Sequence, residues 1–210
     1  MPRWSRDAPD AVLGKFDLSK VNFDELGRKI QTGNPYLQTE QLRSFLQQKL
    51  QQMIQVNPKR ISYLDRLQEI IDKHNENSAN YADYPAEIVA FAREVHEEEL
   101  RSTREQLSEE ELAIADLLML NDPHIEADWQ QIKALGRKLL ANLKSSRKLV
   151  DNWYNKPEMN SSVRIIIREE LENLPASYSK ALYDQKCEET YRYIRTYYRS
   201  TGGDNGPISA

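Results

Sequence analysis

Between Trp153 and Pro175 the chain carries the pattern that most restricts its fold. Val163, Ile166, Ile167, Leu171 and Leu174 recur at steps of three and four residues. A helix gathers such positions into one broad apolar stripe, which has to be covered to leave water. Asn160, Ser161 or Ser162 can cap its start by accepting a hydrogen bond from an orphan backbone N–H, and Pro175, which lacks an amide donor, ends it. The stretch reads as a buried helix, and nothing in it suggests chemistry on its own.

The same signal recurs along most of the chain. Thr39 to Val56 places Leu42, Phe45, Leu46, Leu50, Met53 and Ile54 on one face, with Gln and Lys opposite, until Asn57-Pro58 breaks it. Ile61, Leu64, Leu67, Ile71 and His74 continue the helical step to Lys73, started by Asn57 or Ser62. Pro85 suits a first helical turn with Asp83 as its cap, and Ile88, Phe91, Ala92 and Val95 form a face that runs on toward Arg104. Ser108-Glu109-Glu110-Glu111 has the form of a capping box, in which the serine and the glutamate three residues later satisfy each other's end amides. Leu112, Ile114, Ala115, Leu117, Leu118 and Leu120 then cover nearly the whole circumference, which marks a central helix closed by Asn121-Asp122-Pro123. Ile125 to Lys148 offers Trp129, Ile132, Leu135, Leu139, Leu140 and Leu143 to the core, and the last helix, Ser179 to Arg199, aligns Tyr183, Cys187, Tyr191, Ile194 and Tyr198.

The ends of the chain read differently. Phe16 to Phe23 alternates like a short strand, but no second strand signal exists to pair with it, so it reads as an extended segment docking Phe16, Leu18, Val21 and Phe23 on helices. Asp24 then caps a short helix through Ile30, ended by Gly33-Asn34-Pro35, and Asn75 to Tyr84 reads as a polar loop. Only seven glycines in 210 residues, with many straight-chain side chains, agree with helices throughout. The expectation is an all-α fold, an irregular multi-helix bundle of about seven or eight helices with flexible N- and C-terminal tails. Residues 1–15 are read as a linker or arm, 16–200 as the helical domain and 201–210 as a flexible tail. No repeat of fixed period stands out, which argues against a solenoid.

Composition excludes several classes. A formal net charge of -4 argues against a domain that grips nucleic acid over its whole surface, though local patches can still bind. The single cysteine, Cys187, excludes an internal disulfide framework and a multi-cysteine zinc site, and suits a reducing compartment, so a cytoplasmic location is expected. No run approaches the roughly twenty apolar residues of a membrane span. There is no glycine-rich phosphate loop ending in Gly-Lys-Ser or Gly-Lys-Thr, no serine on a nucleophile elbow and no His-Glu-x-x-His pair. No catalytic and no metal-binding residue is therefore assigned.

Weak candidates remain. His96 with Glu99 shares a helix face and could hold a metal together with Glu97 or Glu98, but a two-ligand set is not selective and a Glu run usually faces solvent. His74 completes an apolar stripe, and Cys187 reads as a small buried hydrophobe. The stronger candidate is electropositive. Lys133, Arg137, Lys144 and Lys148 fall on one face of their helix, with Lys138 and Arg147 nearby and no acidic residue between Lys133 and Lys148. Such a stripe could neutralise phosphates, face acidic helices of a partner, or simply meet water. Arg192, Arg195 and Arg199, interleaved with Tyr193, Tyr197 and Tyr198, form a second patch of the type that stacks bases, unless those tyrosines are core.

The order of these segments also carries a likeness. Trp153 with Lys156, the Val163-Arg164 helix, the Leu174-Pro175 stop and the tyrosine-rich last helix form a spaced series. Three earlier stretches extend it: Phe16-Asp17-Leu18-Ser19 with Asn22-Phe23-Asp24, Asn57-Pro58-Lys59-Arg60-Ile61 running into Leu67 to Asp72, and Leu107 to Ala113. The whole series, about Phe16 to Tyr198, resembles the C-terminal helical region of the motor and endonuclease (R) subunit of type I restriction enzymes. That resemblance implies a part of a site-specific deoxyribonuclease whose nuclease and ATPase modules lie upstream. The parent subunit it resembles is ATP- and Mg-dependent, while this chain itself carries no expected cofactor. It further implies methyltransferase and specificity subunits as partners, with DNA reached through the complex or directly, and no membrane. The loop at Asn75 to Tyr84, the segment Asn121 to Asp128 and the tail after Ser200 have no counterpart in the family pattern.

Three readings follow. The first is a non-catalytic docking domain whose exposed faces, including Lys133, Arg137, Lys144 and Lys148, bind partner subunits. The second is a nucleic-acid-binding module using the basic stripe and the Arg/Tyr helix, and the third is an independent small enzyme, for which no two titratable groups are placed together by local spacing.

Overall fold

The computed structural model describes residues 22–32, 34–76, 83–120, 128–149 and 152–198. Over these residues the chain is all-α: nine helices, eight of them ten residues or longer, two 3-10 turns and no strand. The arm at 1–15, the docked segment around Phe16 and Leu18, most of the Asn75–Tyr84 loop, the Asn121-Asp122-Pro123 stop and the tail at 201–210 lie outside the described residues.

Contacts divide the chain, read from sequence as one helical domain over 16–200, into two compact units, Met1–Ile54 with Arg60–Arg101 and Gln55–Lys59 with Ser102–Ala210. The first holds α1 (Phe23–Thr32), most of α2 (Pro35–Val56), α3 (Ile61–Glu76) and α4 (Tyr84–Glu99). Asn22, not Asp24, caps α1: its Oδ1 accepts from the amides of Asp24 and Glu25, both at 3.1 Å. The Asn34-Pro35 pair starts α2 instead of ending α1. Asn34 Oδ1 accepts from the Leu37 amide at 3.2 Å, and Pro35 occupies a first-turn position where no amide donor is needed, so α2 begins four residues before Thr39. The apolar faces of α2, α3 and α4 close on one another through Leu42, Leu46, Leu50, Leu67, Ile88, Phe91 and Val95, with Ile30 of α1. Each such side chain contributes on the order of 1.5–3 kcal/mol by leaving water.

The second unit is built on α6 (Glu109–Leu118), α7 (Trp129–Ser145), α8 (Pro157–Leu171) and α9 (Lys180–Tyr197), preceded by the short α5 (Arg101–Glu105). The capping box forms as read: the Glu111 amide donates to Ser108 Oγ at 3.1 Å and the Ser108 amide to Glu111 Oε2 at 2.8 Å. Leu112, Ala113, Ile114, Ala115, Leu117 and Leu118 are all buried, and α6 packs against both α7 and α9. Gly136 permits the close approach of α7, because a Cβ there would lie 3.3 Å from the Glu111 carbonyl oxygen. The opening stripe is buried at Val163, Ile167 and Leu171, but α8 starts at Pro157, a turn earlier than its serines imply. Asn160 and Ser162 are spent elsewhere, donating to the carbonyls of Tyr154 at 3.0 Å and Glu158 at 2.8 Å. A proline at the first turn removes the orphan donor that a cap would have served.

Candidate functional site

The charged face of α7 is not an open stripe. Lys133 Nζ lies 3.0 Å from Glu105 Oε2, which also accepts from Trp129 Nε1 at 3.0 Å. Arg137 donates to the Gln106 carbonyl, at a residue whose φ of 56° turns the chain out of α5. Lys144 Nζ lies 2.5 Å from Glu110 Oε2, the same oxygen that accepts from the buried Tyr198 hydroxyl at 2.6 Å. Lys138 pairs with Glu170 at 3.0 Å. The sequence showed no acid between Lys133 and Lys148, yet the partners come from α5, α6 and α8. Lys133, Arg137 and Lys144 each join two segments of the unit. Lys148 is half-buried and forms no ion pair among the described residues.

The aromatic half of the second patch is also core. Tyr193, Tyr197 and Tyr198 are 6%, 7% and 2% exposed, and the first two stack at 5.3 Å between ring centroids. Burial, reinforced for Tyr198 by the hydrogen bond to Glu110, raises all three hydroxyl pKa values, that of Tyr197 to about 12. They have no face to offer a base. Arg192 and Arg195 stay exposed on the opposite side of α9, and Arg199 lies outside the described residues.

A different grouping surrounds the 3-10 turn Trp153–Asn155. Trp153 is fully buried and its Nε1 donates to the Tyr198 carbonyl at 3.1 Å, which fixes the turn to the end of α9. Tyr154 packs edge-on against Trp153, and the Arg195 guanidinium lies 5.8 Å from its ring. Asn160 bridges the two elements, donating to the Tyr154 carbonyl and accepting from Tyr191 OH at 3.1 Å. Arg164 lies 3.6 Å over the Tyr191 ring and pairs with Glu188 at 2.6 Å. Lys156 is exposed beside the turn.

Sequence reasoning missed Lys186. Only 5% of its side chain is exposed, and its Nζ donates to the carbonyls of Leu117 at 2.5 Å and Met119 at 3.2 Å while pairing with Glu189 at 3.2 Å. Tyr178 OH donates to the Leu118 carbonyl at 2.6 Å, so side chains satisfy the end of α6. Burial lowers the Lys186 pKa against the opposing pull of Glu189. The available signal was spacing: Lys186, Thr190, Tyr193 and Tyr197 form a second buried row on α9.

The weak metal candidate goes to other partners. Glu98 binds Arg60 Nε at 2.9 Å and Glu99 binds Lys49, and among the described residues no group of three or more His, Cys, Asp or Glu is placed to hold a metal ion. His74 stacks on Tyr84 at 3.9 Å. Cys187 is buried, and burial raises its thiol pKa. No helix among the described residues is long and apolar enough to cross a membrane.

These features define an all-helical region in which several charged side chains join its own helices. Residues 10–199 match the family model described as Type I restriction enzyme HindI endonuclease subunit-like, C-terminal, and the chain belongs to that family. No curated protein and no solved structure matches it.

Proposed function

We propose that this helical region docks the R subunit of a type I restriction enzyme on its methyltransferase and specificity core. The match over residues 10–199 to the C-terminal region of an endonuclease subunit carries the reading. Apolar surface unused by its own core supports it: Tyr36 and Leu37, in the first turn of α2, are 61% and 52% exposed. Adjacent exposed side chains of this size are what a partner subunit would cover. The internal ion pairs of α7 move the proposed contact away from Lys133 and Lys144. Co-migration of the chain with purified methyltransferase and specificity subunits, in the absence of DNA, tests it. A stable complex that Leu37→Glu weakens is expected, and failure of the unaltered chain to co-migrate would overturn the reading.

A further inference from the structure

Two groups of cations in the second unit contrast. Lys133, Lys138 and Lys144 each have a carboxylate within 3.0 Å. Arg147, Lys148, Lys156, Arg192 and Arg195 form no ion pair among the described residues, and all but the half-buried Lys148 are exposed. The second set is also grouped by the fold. The bond from Trp153 to the Tyr198 carbonyl brings the turn carrying Lys156 to the end of α9, where Arg195 reaches Tyr154 and Arg192 lies one turn back on the same face. Arg147 and Lys148 precede that turn, just after α7. No acidic residue occurs from Thr190 to Tyr198; the acids nearest in sequence are Glu188 and Glu189, which pair with Arg164 and Lys186, and Asp151 and Glu158 on either side of the turn.

We propose that this end of the unit, formed by Lys156, Arg192 and Arg195, with Arg147 and Lys148 preceding the turn in the chain, binds the phosphate backbone of duplex DNA. Sequence-independent phosphate contact needs exposed cations and no apolar centre. A protein partner usually requires such a centre. Among the described residues the exposed large apolar side chains are Tyr36, Leu37, Ile61, Leu100 and Ile165, none of which lies within 147–156 or 190–198. Three of the five cations are arginines, whose planar fork suits phosphate oxygens. The half-exposed Tyr154 ring beside Arg195 holds that guanidinium at the surface.

The test is fluorescence anisotropy of the whole chain with a labelled duplex of arbitrary sequence across a salt series, with no partner subunit present. Failure here is thus separate from failure of subunit docking. The unaltered chain should bind at low salt and release as salt rises. Combining Lys156→Ala, Arg192→Ala and Arg195→Ala should flatten the log–log salt slope by about 0.9 per lost phosphate contact, or about 2.7 in all, with affinity down more than tenfold. Lys138→Ala, which removes an exposed cation already held by Glu170, should leave the slope unchanged. No binding by the unaltered chain, or equal slopes for the triple variant and Lys138→Ala, would overturn the proposal. Binding to labelled polyglutamate without binding to the duplex would also overturn it, in favour of an acidic protein surface.

Discussion

Two sets of basic residues in one helical unit have opposite fates. Along α7, Lys133, Lys138 and Lys144 meet Glu105, Glu170 and Glu110. Around the Trp153 turn and on the outer side of α9, Arg147, Lys148, Lys156, Arg192 and Arg195 meet no described carboxylate. The sequence ranks them the other way, since α7 offers the longer acid-free run. Whether a cation is available to a ligand depends on what the neighbouring helices bring to it, and a helix's own spacing does not contain that.

The hardest way to break the contrast is through Trp153. Its indole is fully buried, edge-on to Tyr154 and Tyr191 at 6.1 Å and bonded to the Tyr198 carbonyl. Trp153→Ala should cost about 3–5 kcal/mol, read as a fall in the urea midpoint. Because the turn positions Lys156 beside α9, duplex binding should fall with it. Unchanged stability would show that the turn does not organise this end.

Next is Glu110, which receives Lys144 and Tyr198 on one oxygen. Glu110→Ala strands a buried hydroxyl and removes a pair whose lysine side chain is 35% exposed. Solvent screening reduces the cost below that of a dry pair, to about 1–3 kcal/mol. Urea unfolding of Glu110→Ala against Lys138→Ala sharpens the point: the latter, 62% exposed on its lysine side, should lose less than about 0.5 kcal/mol.

The aromatic core gives a pH signature. Burial raises the hydroxyl pKa values of Tyr178, Tyr183 and Tyr197 to about 12 from 10.0. A group whose folded pKa is raised keeps its full contribution below the unfolded value and loses it as pH climbs toward the folded one. Stability should therefore hold to about pH 10 and fall between about 10 and 12, with tyrosinate absorbance rising alongside loss of helical circular dichroism. Tyrosine ionisation completed well before helix loss would contradict the burial of these hydroxyls. The smallest expected effect is Arg192→Ala, a surface change with no described ion pair: within about 0.5 kcal/mol in stability, but a measurable flattening of the salt slope.

Much of the fold was legible. The stripe at Val163, Ile167 and Leu171, the capping box at Ser108 and the all-round burial of α6 are all present. Helix starts were less so at Asn34-Pro35 and Pro157, because a proline that looks like a stop is equally suited to a first turn. On α9 the buried sector proved wider than one stripe, taking in Lys186, Thr190, Tyr193 and Tyr197, since the helix packs against both α6 and α8. The tyrosines that resembled a stacking platform are therefore core.

By itself the sequence determined the helices, their apolar faces and the family, because all three are written in residue type and short-range spacing. Only the tertiary structure decided which charges remain for a ligand. Lys133 and Lys144 find Glu105 and Glu110 from 28 and 34 residues away. Helical periodicity reaches only the third and fourth neighbours, so packing alone joins such pairs.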